Sequence, residues 1–407
     1  MLPRVACRAL VAGLAAACVA LSACSGGSSN GPKPIRIGAL IPVVGLGLPY
    51  YTSAFNAAVH GINARGGVNG RPILVENCDD RSDPNLAQAC ARQLVRDGVV
   101  ATAANVSEFS MVEAPILDEA GIPQVGSEAL NPEDTTLATA FPLDGGVIHQ
   151  IAGGIVGMKR RNLHSLFIAT FDTPPGRLLV QTTGQLVRPA GITLATPAYA
   201  PIAATDFTQY IQAAMQSKAD VVFPAMTPAA TIGFIIASKR AGAKYLILVP
   251  YGEFSARDLA AMGGAASLTE NDVMFSSLPP LSATDRFPAL QTFAADMDAE
   301  VAAGDLGAVA EERTGGSLHA WLCVQIIARI AASLATVDAP SMLHALQTSP
   351  VVDTLGLTPA WAAGRTGLPT MPRVTQLYGY LITQRNGVEA LADPTPFNPF
   401  LVLGLGG

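Results

Sequence analysis

The side chains of this chain that could do covalent or metal chemistry are few, and their spacing does not suit it. The five histidines, His60, His149, His164, His319 and His344, are scattered without zinc-ligand spacing, and no His-Glu-x-x-His run occurs. His60 and His319 fall in helical patterns and read as helix-face residues. Gly45-x-Gly47 follows a strand-like run, but a dinucleotide fingerprint needs a third glycine where Tyr50 stands. Asp79 and Asp80 lack the ligand-spaced loop that calcium requires, and read as structural. An exported enzyme of dinucleotide type is therefore a remote reading, and no cofactor or metal is expected. What the pattern does offer is loops at the ends of strands, where binding is done by hydroxyls, aromatic rings and backbone N–H groups.

Those loops need an α/β frame. Ile35–Val44 is a run of β-formers continuous enough for a strand buried on both faces. Tyr51–Ala64 carries Phe55, Ala58, Val59 and Ile62 at helical spacing, and Gly66-Gly67 stops it. Asn69-Gly70 turns the chain into a strand over Arg71–Asn77. Asp83-Pro84 then opens a helix that ends at Gly98. Such a unit demands a parallel sheet with helices on its faces. Strands are expected at Val99–Ala104, Ile122–Gly126, Ser165–Thr170, Ile192–Tyr199, Asp220–Met226, Tyr245–Val249, Asp272–Leu278 and Val374–Thr383. Helices between them include Glu108–Ala120, Val147–Arg160, Gly176–Pro189, Asp206–Ser217 and Ala229–Ala241. Longer ones follow at Arg286–Val301 and Ser317–Ala335, and a shorter one at Ser341–Gln347. Phe141–Gly146 and Pro279-Pro280 break the composition and mark candidate crossings between two lobes.

The chain has 407 residues, half of them hydrophobic and only 14% charged, so two packed lobes are expected and a disordered body is not. A formal charge of −6 argues against nucleic acid as a partner. Arg4 and Arg8 followed by the apolar Ala9–Leu21 read as an export signal. Leu21-Ser22-Ala23-Cys24 resembles the bacterial lipobox, which would make Cys24 the lipidated first residue, ahead of a Ser/Gly/Pro tether. An ordinary secretory signal is the alternative. Of the cysteines left after export, Cys323 reads as a core residue. Cys78, just after a strand, and Cys90, two turns into the next helix, are either bridged or two buried thiols.

Three stretches resemble one family. Ile35–Pro42 with Ile62–Pro72, Asp79–Pro84, and Ala120-Gly121-Ile122-Pro123 with Asn131-Pro132 look like the type I periplasmic solute-binding proteins, in the leucine/isoleucine/valine-binding branch. Asp206-Phe207 before Ala219–Val222 is a weaker fourth match. The resemblance implies two Rossmann-like α/β lobes with mainly parallel sheets, joined by a three-segment hinge and closing on a small solute. The expected lobes are 35–143 with 279–371, and 144–278 with 372–400, after a signal (1–23) and tether (24–34) and before a tail (401–407). It implies a monomer, lipid-anchored outside the cell membrane or in the periplasm, that delivers an amino acid, amide or small carboxylate to an ABC transporter permease. A ligand-sensing receptor subunit of the same fold is the alternative.

By the same resemblance Tyr50 and Tyr51 stand where the family places an aromatic near the ligand. Ser107 and Ser110 stand where it uses hydroxyls and helix-start N–H groups, and Ala129 where backbone meets an amino-acid ligand. Phe171 and Asp172 replace a loop that usually offers a tyrosine, and Leu130 replaces a hydroxyl. Tyr251 and Glu253 lie near the acid that pairs with an α-ammonium. Each has a plainer reading: the tyrosines staple a helix start, Ser107 caps a helix, Glu253 is a solvated acid and Phe171 is core.

Overall fold

The computed structural model describes residues 32–44, 48–250, 254–264 and 268–405. Cys24 and its signal, the Gly45-x-Gly47 loop, Tyr251 and Glu253 lie outside the described residues. Strand β1 (Ile35–Leu40) buries every residue but Arg36, so it needs cover on both faces. Helix α1 (Pro49–Ala64) supplies one side, and β2 (Ile73–Cys78) pairs with β1 in parallel, Ile35 opposite Ile73 and Leu40 opposite Cys78. Helix α2 (Pro84–Asp97) begins where its cap demands. The Asp83 carboxylate accepts from the Asn85 and Leu86 N–H groups, and Gly98 at φ 68° ends the helix. Then come β3 (Ala101–Ala103), α3 (Ser110–Glu119), β4 (Gln124–Val125), α4 (Glu133–Thr136) and β5 (Ala140–Phe141). The first sheet is parallel throughout, in the order β2-β1-β3-β4-β5.

Cys78 at the end of β2 is bridged to Cys90 on α2, with Cα atoms 5.6 Å apart. The bridge closes a loop of 12 residues. On the chain-entropy account that stabilises the fold by roughly 3 kcal/mol. Urea unfolding of the Cys78→Ala/Cys90→Ala protein should show that loss, and an unchanged midpoint would count against the account.

The second half repeats the pattern: α5 (Gly146–Arg160), β6 (Ser165–Phe171), α6 (Pro174–Val187), β7 (Thr193–Leu194), β8 (Ala198–Ala200), α7 (Thr208–Ser217), β9 (Val221–Ala225), α8 (Pro228–Arg240), β10 (Leu246–Pro250), α9 (Ala256–Ala261) and β11 (Val273–Ser276). The chain then returns through α10 (Pro288–Ala302), α11 (Gly315–Ser333) and α12 (Ala339–Thr348). Helices α10 and α11 pack on α1, and α12 on α11. It finishes with β12 (Tyr380–Arg385), β13 (Val388–Leu391) and α13 (Pro399–Val402). The second sheet runs β13-β12-β11-β10-β9-β6-β7, with β8 also on β6. Only the β11-β12 and β12-β13 pairs are antiparallel. The chain therefore passes between the halves three times: after β5, after β11, and between α12 and β12. Among the described residues no helix is long and apolar enough to cross a membrane.

Two details depart from the sequence expectation, and a third adds to it. The single strand expected over Ile192–Tyr199 is two short ones, β7 and β8, because Pro197 between them has no N–H for the ladder. The strand expected from Val374 starts only at Tyr380. The Gln376 side chain accepts from the Tyr378 N–H and donates to its carbonyl, both at 2.8 Å, and so occupies groups a ladder would use. The C-terminal stretch has a packing role: Phe397 meets Phe275 of β11 at 5.4 Å between ring centres, and Phe400 stacks on His149 of α5 at 5.8 Å.

Candidate ligand-binding cleft

The carboxyl ends of the strands of both sheets open on one crevice, the usual ligand position in α/β sheets. Its polar end is a cavity of about 230 Å³. The β1–α1 connection contributes Leu48, Tyr50 and Tyr51; the β4 end contributes Glu128 and Leu130; the first crossing and α5 contribute Asp144, Val147 and Gln150. From the other side come Ser276, Ser277 and Leu278 after β11, and Gly315, Gly316 and His319 at the start of α11. A second cavity of about 380 Å³ shares Leu130 and Val147 as wall. It runs over the ends of β6 and β9 and the first turns of α6, past Ala129, Phe171, Leu178, Leu179 and Met226.

Several polar groups of the first cavity are fixed by identifiable partners. Gly126 sits at φ 72°, a left-handed turn that sends the chain from β4 into the cleft. Its carbonyl accepts from His319 Nε2 at 2.7 Å. Glu128 donates its N–H to the Asn105 carbonyl at 2.9 Å. The next turn is held by Asp134 Oδ2, which accepts from the Leu130 and Asn131 N–H groups at 3.1 and 2.8 Å. Asp144 accepts from the Gly146 N–H at 2.8 Å and from the Ser277 hydroxyl, tying the first crossing to the second.

The electrostatics follow from burial. Removal from water pushes the Glu128 carboxyl up to about 7; His319 and the Tyr51 hydroxyl pull against the rise, and Asp144 and Asp134 add to it. Burial opposes a charge on His319, but the Cys323 sulfur, Glu128 and Asp144 outweigh it and hold the imidazole well above its ordinary value. Burial, with Glu128 close by, keeps the Tyr51 phenol neutral.

The sequence candidates divide. Tyr50 and Tyr51 line the polar cavity, and Ala129 and Phe171 the apolar one. Ser107 and Ser110 line neither: their hydroxyls donate to buried acids, Ser107 to Asp80 and Ser110 to Asp134, both at 2.8 Å. Asp79 and Asp80 organise their own loop by accepting from the Arg81 and Ser82 N–H groups. Asp172 is exposed and paired with Arg177 at 2.6 Å. Cys323 is fully buried in α11. Cavity-lining ionisable side chains absent from the sequence candidates are Glu128, Asp144 and His319. Glu128 had a visible signal, since it is a lone acid in the apolar run Val125–Leu130 just past a strand.

Comparison with known proteins agrees with this geometry. The model of a periplasmic binding protein family matches residues 34–375. A stretch of 124 residues, 30% of this chain, is 33% identical to the Leu/Ile/Val-binding protein of Citrobacter freundii and covers 34% of it. An amino acid binding protein of Pseudomonas aeruginosa is 33% identical over 123 residues, 29% of this chain and 33% of that one. The matches thus span about a third of the length of these relatives. A substrate-binding protein from Aeropyrum pernix superposes with a TM-score of 0.75 at 14% identity, covering 90% of this chain and 96% of its own. A fatty acid ABC transporter substrate-binding protein from Thermomonospora curvata gives 0.72 at 17% identity, covering 90% and 94%. At such identities the structures attest the fold alone: two mainly parallel α/β halves of type I. The chain belongs to the periplasmic binding protein family.

Proposed function

We propose that this protein is an extracytoplasmic, lipid-anchored solute receptor that closes its cleft on a small molecule and hands it to an ATP-driven importer. The observation that carries this reading is a cavity lined from both α/β halves and from their crossings, so that one molecule can touch every part that moves on closure. The lobes would be 35–143 with 279–371, and 144–278 with 372–400. Cys24 would carry the lipid, and Ser25–Pro34 would tether the receptor to the membrane. The relatives' names support an amino acid or a similar small solute. Of the resemblance-based ligand candidates, Tyr50, Tyr51, Ala129 and Phe171 keep that role here; Ser107 and Ser110 act through the turns they hold.

Two measurements test it. A ligand at 100 times its dissociation constant should stabilise the chain by roughly 2.7 kcal/mol and raise its melting temperature by a few degrees. A screen of amino acids, amides, amines and carboxylates that shifts nothing would count against the reading. Cys24→Ser should move the protein from the membrane to the soluble fraction, and its retention there would sink the anchor.

A further inference from the structure

The lining of the cleft narrows the solute, on the reading that the cleft is where the solute sits. Two carboxylates, Glu128 and Asp144, line the polar cavity, and among the described residues no lysine or arginine lines either cavity. Asp144 accepts only from neutral donors, Ser277 and the Gly146 N–H. His319 balances one of the two acids, and the other is left over. A carboxylate placed here would face like charges, whereas a cation would be attracted. The adjoining cavity is mostly apolar and shares the Leu130–Val147 wall, so one molecule can span both. We propose that the solute is an amphipathic organic amine. Its ammonium head sits beside Glu128 and Asp144, and its apolar body passes Leu130 and Val147 toward Phe171 and Leu179.

The charge assignment carries a pH signature. Glu128, with a carboxyl near 7, is the group that must ionise to receive the head. The groups facing it are Tyr51 from α1, Asp134 from α4, Asp144 from the first crossing and His319 from α11. Asp134, at about 6, also titrates, but it is held by Ser110 and the Leu130 and Asn131 N–H groups, outside the cavity lining. An alkylamine, like the lysine side chain, stays charged across this range. Ionised Glu128 rises from about a tenth to about nine-tenths between pH 6 and 8, so affinity should rise roughly ten-fold.

The experiment is calorimetric titration of the chain from Pro34 onward, one compact unit, with hexylamine, hexanoic acid, hexanol and leucine. Hexylamine should bind at least ten-fold more tightly than the acid and the alcohol. Glu128→Gln should weaken it at least ten-fold and flatten its pH dependence, with the melting temperature reporting that the variant is folded. Equal binding of acid or alcohol, or an unaffected Glu128→Gln protein, overturns the amine assignment. Binding of leucine or hexanoic acid alone, lost in Leu130→Asp, discards the amine and leaves the solute-receptor reading standing. Binding by none of the four overturns both.

Discussion

Replacing Asp296 with alanine is expected to lower stability by about 2 to 4 kcal/mol. This carboxylate joins α10 and α11, which carry the chain back to its first half, to the end of α1. Its Oδ1 and Oδ2 accept from the two terminal nitrogens of Arg65, just past α1, at 2.7 and 3.1 Å. Oδ2 also accepts from Trp321 Nε1 of α11 at 3.0 Å. Gly61 of α1 is where the carboxylate presses closest: a Cβ there would lie 2.2 Å from Oδ1. The larger share of the cost lies with Trp321, which is fully buried and would keep an indole N–H with no acceptor, about 1 to 3 kcal/mol. Arg65 is half exposed and rehydrates when its partner leaves, so the ion pair adds only about 1 kcal/mol. Asp296→Asn keeps an oxygen for Trp321 and should lose about half as much, and Arg65→Ala about 1 kcal/mol. Urea midpoints of the three variants decide it. Equal losses for Asp296→Ala and Arg65→Ala would show that the ion pair, and not the orphaned indole, is what matters.

How much of this was legible in the sequence follows from how local each signal is. The Asp83-Pro84 start and Gly98 stop of α2 need only their own neighbours, and both stand where the pattern puts them. The Cys78–Cys90 pairing was readable because strand end and helix turn lie on one short passage. The site was less accessible because its polar members come from chain segments far apart. Glu128, Asp144, Ser277 and His319 meet only after the chain has crossed between halves twice. Asp144 was visible as part of a composition break, but nothing local says that a crossing aims its carboxylate at Ser277. Ser107 and Ser110 stand outside both cavities for a physical reason. Buried acids need donors more than a solute does, and Asp80 and Asp134 take both hydroxyls. Asp172 likewise finds Arg177 at the surface before any ligand.

Gly126→Ala should be strongly destabilising, and its effect should reach the cleft. A Cβ at this position would lie 2.2 Å from Cys323 Sγ and 3.1 Å from His319 Nε2. The sulfur belongs to a fully buried side chain with no room to retreat. Overpacking of this kind costs about 1 to 3 kcal/mol. The left-handed backbone at φ 72° adds about 1 to 2 kcal/mol for any residue with a Cβ. The sum is about 2 to 5 kcal/mol, and two parts of it can be separated. Adding Cys323→Ala removes the sulfur and should recover the overpacking share, leaving the backbone strain, so the pair should be clearly non-additive. The recovered protein then reports on function. The Gly126 carbonyl anchors His319, and His319 faces Glu128. If the clash alone disturbs the site, the double variant regains both stability and solute affinity. If affinity stays low while stability returns, the strained turn itself holds the imidazole against Glu128. Additive losses would place the whole cost in the backbone and remove Cys323 from the account.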